Sequence, residues 1–341
     1  MSSLKIGFSI GSLLSPKDAI DFSSLADKKE NVDSIWAPES WGKESFSILG
    51  AISQATERVK LGTSIINIYS RTPATIAMGA ISIDKLSNNR MVVGLGASTP
   101  AIIENLHGIR YKDPLLRMKE YIQSLRLLFK TNEKTNYNGK IIKIKNFAIS
   151  EKSRENIPIY IAAVNKKMIH MGLNNADGLI FYLRPYNEIK DIVNHINNKL
   201  NFNKCLVLIT SVSNKDPQQA KDRAAKTLSF YLAVGKVYYN FLLTSKFKSE
   251  AEEIFKEYYN HGIERASQIV SRKMLDELAV YGSINDCKNQ IKRFKNLGID
   301  LHTRSGKELS EYFLNSEVSH ESIATFIILK NPYNLIFHYC L

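Results

Sequence analysis

Short apolar runs alternate with amphipathic segments of helical period along almost the whole chain, and this alternation restricts the fold more than any other feature. Residues 5–10, 33–37, 60–68, 91–96, 157–163, 177–183 and 204–212 read as strands. Between them, helices are predicted over 16–30, 44–57, from Pro73, over 114–129, 166–175 and 186–200, with a last one at 283–297. Pro16 and Pro73 stand at first-turn positions, where the missing N–H costs nothing. Ile20, Leu25 and Ala26 are expected on the inner face of the first helix. Strand–helix repetition of this kind makes a parallel sheet with helical crossovers. Gly298 suits a helix stop, and an eighth strand begins at Ile299. Eight strands close a (β/α)8 TIM barrel; a doubly wound open sheet is the structural alternative. Either way, the site belongs at the C-terminal ends of the strands.

The 341 residues fit one barrel domain spanning 1–341, with a helical insertion over 213–280 after strand seven and an atypical C-terminal tail over 301–341. Leu301–Ser305 reads as a poor strand. Asn138-Gly139 signals a hairpin turn beside Ile141, Ile142 and Ile144. The composition, 44% hydrophobic and 23% charged, is that of a globular protein. The net charge of +13 is scattered, as at Lys28-Lys29, Lys166-Lys167 and Lys292-Arg293. That argues against a nucleic-acid surface and suits a polyanionic small molecule. Three cysteines without a CxxC argue against a disulfide framework, and the Cys and His spacing supports no metal site. No signal peptide or long apolar span is apparent, so a cytoplasmic protein without a membrane partner is expected.

Several strand ends carry residues capable of chemistry. Strand two ends in Trp36-Ala37-Pro38-Glu39-Ser40-Trp41-Gly42, placing a carboxylate between two tryptophans as an acid, a base or a polar contact for a ring. The bland reading is a solvated glutamate with packing tryptophans. Asn67 lies near the end of strand three, where its amide addresses either a ligand or a neighbouring loop. Gly94-Leu95-Gly96-Ala97-Ser98-Thr99-Pro100 lets a backbone approach a cofactor. It is not a Rossmann fingerprint, since the third glycine is missing and the next segment is not read as immediately helical. Ala162-Ala163-Val164-Asn165-Lys166-Lys167 opens a helix whose free N–H groups, with two lysines, suit a phosphate or a solvated cap. His107, His170 and His261 are not at metal spacing and read as hydrogen-bonded or surface groups.

From Glu57 to Tyr121 the chain resembles the luciferase-like flavin and deazaflavin oxidoreductases. The resemblance rests on Leu61-Gly62-Thr63-Ser64, Arg71-Thr72-Pro73, Asp84-Lys85-Leu86-Ser87-Asn88-Asn89-Arg90, Gly94-Leu95-Gly96, His107-Gly108, Arg117 and Glu120-Tyr121. Ile157–Ala163 and Ala176-Asp177-Gly178 extend it, so that it covers most of residues 4–300. It is nearest to the branch that uses coenzyme F420, which includes methylenetetrahydromethanopterin reductase. The resemblance implies hydride transfer between the C5 position of the deazaflavin and a small substrate, a methylene-tetrahydropterin being the leading class. It places a non-prolyl cis peptide at Ser64–Ile65, Asn67 beside the ring, and Ala97, Ser98 and Thr99 at the ring edge. Ala162, Ala163, Val164, Asn165 and Lys166 would hold the ribityl-phosphate side, and Glu39 matches a frequent active-site acid.

Some relatives place a carboxylate where Thr99 stands and use it to handle protons, a role a threonine cannot fill. The tail beyond Asp300 does not match the family. An FMN-dependent monooxygenase and a non-catalytic flavin- or deazaflavin-binding protein are the alternative readings. Relatives are commonly dimers or larger, so a homo-oligomer is expected.

Overall fold

The computed structural model describes residues 6–11, 14–40, 42–152, 154–196, 202–295, 297 and 300–304. Trp41, the helix stop at Gly298 and the tail beyond Arg304 fall outside them. The chain divides into two compact units: Met1–Ile180 with Asn201–Cys205, and Phe181–Leu200 with Leu206–Leu341.

In the first unit the order is β1 (Ile6–Ser9), α1 (Pro16–Asp27), β2 (Val32–Ala37), α2 (Ser45–Ala55), β3 (Lys60–Thr63), β4 (Ile66–Asn67), α3 (Pro73–Leu86) and β5 (Met91–Gly96). A π-helical turn (Ile102–Leu106) and α4 (Pro114–Lys130) follow, then β6 (Thr135–Asn138), β7 (Lys143–Phe147), β8 (Ile159–Ala162), α5 (Lys166–Asn175) and the start of β9 (Gly178–Tyr182). Parallel pairings run β1–β2, β2–β3, β3–β5, β5–β8 and β8–β9, with β4 also on β5. β6 and β7 form the separate antiparallel hairpin. Its turn is stapled from α4: the Glu120 carboxylate accepts the N–H groups of Lys140, Ile141 and Ile142 at 2.8–2.9 Å. A Cβ on Gly139 would run into that carboxylate.

Local chemistry sets the helix starts. Ser15 and Thr72 cap α1 and α3 by accepting the N–H of Asp18 and Thr75, each just ahead of a proline. The buried face of α1 is Ala19, Phe22, Ser23 and Ala26; Leu25, expected inside, is 46% exposed. Phe22 meets Phe8 of β1 edge-on at 5.3 Å and fixes the helix rotation, leaving Leu25 one residue off the inward stripe.

Strand 60–68 is interrupted. The Ser64–Ile65 peptide is cis, at the position the resemblance implies, and divides the run into β3 and β4. Thr63 stitches the pieces to β5: its hydroxyl donates to the carbonyl of Gly94 and accepts the Gly94 N–H, both at 2.8 Å. A Cβ on Gly94 would collide with the Thr63 carbonyl, so glycine is required there.

The second unit contains α6 (Tyr186–Ile196), β10 (Asn203–Val212, from Leu206 onward), α7 (Pro217–Val234), α8 (Lys236–Leu242), α9 (Lys248–Ile269), α10 (Arg272–Leu278), β11 (Ala279–Gly282), α11 (Ile284–Lys295) and β12 (Asp300–Arg304). Leu228, Leu232, Leu242, Ile254, Met274 and Leu275 bury one shared apolar core. α9 breaks at Gly262, whose φ of 82° is the left-handed region glycine favours.

Two sequence expectations change in this unit. The helical stretch ends earlier than 280, because Ala279–Gly282 is a fully buried strand paired in parallel with Ile209–Val212. Of Leu301–Ser305, expected to be a poor strand, the described residues through Arg304 belong to a strand, Asp300–Arg304, beside β10. In both places ladder hydrogen bonding outweighs weak local propensity. Among the described residues no helix is long and apolar enough to cross a membrane, and no cluster of His, Cys, Asp and Glu could hold a metal ion.

Candidate active site

All the sequence-predicted site residues lie on the first unit, at or just past the C-terminal ends of neighbouring strands. Their connection is largely backbone. The Ser64 N–H donates to the Ala37 carbonyl at 2.9 Å, and the Glu39 N–H donates to the Ile65 carbonyl at 3.4 Å. Asn67 stands opposite Gly96, and the Ile68 N–H donates to the Gly96 carbonyl at 3.1 Å. Leu95 faces Ile161 across the next pairing, and the Ala163 N–H reaches the Ile180 carbonyl at 3.1 Å. Glu39, Ser64, Ile65, Asn67, Ala97 and Ala162 therefore follow one another along adjoining strand ends. Asn165 and Lys166 stand farther out, exposed at the start of α5.

The strand ends are shaped by small residues. A Cβ on Gly96 would strike the Ile65 side chain, so Ile65 lies over a glycine. Ala97, Ser98, Thr99, Ala162 and Val164 are half-buried, and Ser98 adopts a left-handed φ of 59°. The segment after them is helical from Pro100, earlier than the sequence suggested. Thr99 starts it: its carbonyl accepts the Ile103 N–H at 3.0 Å and its hydroxyl the Ile102 N–H at 3.4 Å. Asn165 caps α5 by accepting the Met168 N–H at 2.9 Å, beside the exposed Lys166 and Lys167.

Asn67 is buried and oriented. Its carbonyl oxygen accepts the N–H groups of Tyr69 and Ser70 at 3.0 and 2.7 Å. That assigns the amide, so its NH2 faces His107 Nε2 at 3.5 Å. His170 and His261 have local partners, Asn174 at 3.2 Å and Glu257 at 2.8 Å.

Trp36 does not flank Glu39 as expected, and Trp41, the other expected neighbour, lies outside the described residues. Trp36 alternates into the core, where its ring lies over Gly62 and stacks on Tyr160 at 6.0 Å. The partner of Glu39 is instead Arg71, which sequence reading left without a role. Arg71 Nε donates to Oε1 at 3.0 Å and Nη2 to Oε2 at 3.1 Å, while Oε2 also accepts the Ser45 N–H at 3.0 Å. Arg71 Nη2 further bonds Glu44 at 2.5 Å. The hydrogen bond to Glu39 raises the Arg71 pKa, outweighing burial. Burial alone would push the Glu44 carboxyl up, but hydrogen bonds from Ser47 and Phe46 and the charge of Arg71 bring it below the ordinary value. The available signal was an arginine in the loop after strand three, 32 residues from Glu39.

Residues 9–301 match the model of the luciferase-like monooxygenase family. A Mycobacterium tuberculosis protein named as a coenzyme F420-dependent oxidoreductase is 33% identical over 168 residues, covering 44% of this chain and 47% of that protein. The chain thus spans about half the length of that relative. The 5,10-methylenetetrahydromethanopterin reductase of Methanolobus tindarius is 23% identical over 304 residues, covering 82% of this chain and 86% of that one. The structure of the coenzyme F420-dependent tetrahydromethanopterin reductase from Methanopyrus kandleri superposes with a TM-score of 0.79 at 17% identity, covering 93% of this chain and 99% of that one. At that identity it speaks for the fold, which is the luciferase-like, TIM-barrel type. The chain belongs to the luciferase-like monooxygenase family, and curated relatives within it are named as F420-dependent oxidoreductases.

Proposed function

We propose that this protein is a coenzyme F420-dependent oxidoreductase transferring hydride between the deazaflavin and a small organic substrate. The observation that carries the reading is the run of strand ends on the first unit. A carboxylate, a fixed amide and small half-buried residues adjoin one another there, and two exposed lysines follow at the start of α5. This donor set fits a flat polar ring with an anionic tail. When bound, the deazaflavin supplies a hydride carrier at C5.

In this reading Ser64, Ile65 and Asn67 lie beside the ring, and Ala97, Ser98 and Thr99 at its edge. Ala162, Ala163, Val164, Asn165 and Lys166 take the phosphate side, where a helix start and lysine charge favour an anion. Asn67, its oxygen committed to Tyr69 and Ser70, has only N–H groups to offer a ligand. Glu39, with both oxygens already accepting, is held in one orientation as an acceptor. Thr99 carries a hydroxyl that caps the next turn and holds no acidic proton.

A methylene-tetrahydropterin is the leading substrate class, supported by the reductase relatives. The second reading, an FMN-dependent monooxygenase, is supported by the description of the matching family. Fluorescence titration with oxidised deazaflavin and, separately, with FMN tests the proposal. Selective deazaflavin binding supports it, and turnover is then sought with methylene-tetrahydropterins. A preference for FMN, with oxygen uptake on reduction, favours the monooxygenase. Tight binding without turnover for any donor favours a non-catalytic binder.

A further inference from the structure

We infer that Arg71 is the positioning residue of this site, acting through Glu39. The inference rests on the proposed function only in taking Glu39 to meet the bound ring. Arg71 follows β4 in a loop and grips two carboxylates from another segment. Its Nε and Nη2 form a two-pronged bond to Glu39 at 3.0 and 3.1 Å, and Nη2 reaches Glu44, the cap of α2, at 2.5 Å. The hold is reinforced from behind. The Tyr121 hydroxyl of α4 donates to the Arg71 carbonyl at 2.6 Å, and the Phe46 ring lies 5.5 Å from the guanidinium carbon. The clamp is largely shielded, with Arg71 and Glu39 side chains 20% and 13% exposed.

This geometry gives each group a separate task. The guanidinium fork fixes the plane of the Glu39 carboxylate, because both oxygens answer a rigid pair of N–H groups. The Ser45 N–H adds a third donor to the same carboxylate. Glu44 adds a second carboxylate to the same Nη2 and caps α2. Arg71 therefore reaches the ligand through Glu39, whereas Glu44 serves the helix. A lysine in place of Arg71 would retain the charge but lose the fork.

A double-mutant cycle tests this. Arg71→Gln, Glu39→Gln and the double variant are titrated with oxidised deazaflavin or FMN, whichever the wild-type protein binds, and their melting temperatures are recorded. Each single change is expected to weaken binding about 30-fold, and the double variant no more than about threefold beyond either. Arg71→Lys should lose about tenfold in affinity while melting near the wild type, and Glu44→Gln should lose less than about threefold. If Arg71→Gln does not fold, Arg71→Lys and its combination with Glu39→Gln complete the cycle. Multiplying losses in the double variant, or wild-type affinity in Arg71→Lys, would overturn the inference. An FMN preference overturns the cofactor assignment and leaves the cycle standing. Binding of neither ligand overturns both.

Discussion

Two arginine–carboxylate pairs in the first unit are built almost alike and sit at opposite ends of the strands. At the N-terminal end, Arg154 Nε and Nη2 donate to the two oxygens of Asp84 at 2.8 and 2.9 Å, and the Met91 N–H adds a third donor at 3.1 Å. At the C-terminal end, Arg71 and the Ser45 N–H do the same for Glu39. Their surroundings differ. The Asp84 side chain is 3% exposed, and Arg154 also donates to the Met91 carbonyl at 2.8 Å, so that pair closes on the strand it starts. Arg90 beside it donates to the carbonyls of Ser87, Ser53, Thr56 and Val59 and to the Thr56 hydroxyl. Glu39 is more open and adjoins small, half-buried residues. The same bonding unit thus serves packing at one end and, in the proposed function, a ligand at the other, as the division of labour in such folds leads one to expect.

The sharpest way to break this comparison is Asp84→Asn. Removing one charge of a buried pair should cost about 3–4 kcal/mol of stability, while ligand affinity per folded molecule stays unchanged. Denaturant unfolding and titration together check it. Glu120→Gln comes next, at about 2 kcal/mol, since an amide cannot accept all three hairpin N–H groups that now converge on the carboxylate. Glu39→Gln should cost only about 1 kcal/mol in stability but lower affinity, the reverse of Asp84→Asn. An affinity loss in Asp84→Asn as large as in Glu39→Gln would erase the distinction.

The smallest expected effect is with pH. At Asp27, Glu44 and Glu120, burial raises the carboxyl pKa, but hydrogen bonds and nearby positive charge outweigh it and leave each below its ordinary value. A lowered folded-state value means the contribution is complete above the unfolded value of about 4 and is lost as pH falls through the folded one. Melting temperature should therefore hold steady from neutral pH down to about 5 and fall below it. In Glu120→Gln that acid-side fall should be shallower.

Much of the fold was legible because strand and helix periods alternate through residue 212, the hairpin of β6 and β7 apart. The places it misled are places where tertiary contacts overrule local pattern. Residues 60–68 read as one strand by period alone, and it was the family resemblance, not the pattern, that placed the cis peptide at Ser64–Ile65 dividing it. Ala279–Gly282 is too short to stand out beside the helices before it, and it is a strand because β10 offers a buried edge. Trp36 was placed beside Glu39 by adjacency alone, although strand alternation already turns residues 36 and 39 apart. The candidate residues were legible as strand ends, since the topology rule points there. The Arg71 partner was not, because an ion pair across 32 residues leaves no trace in periodicity.

The central claim is that the strand ends from Glu39 to Lys166 bind the deazaflavin, and a crystal structure of the protein with oxidised coenzyme F420 tests it most directly. The account predicts the ring against Ser64–Ile65 and Asn67, with its anionic tail toward Asn165 and Lys166. A ring bound elsewhere, or a tail pointing away from α5, would contradict it.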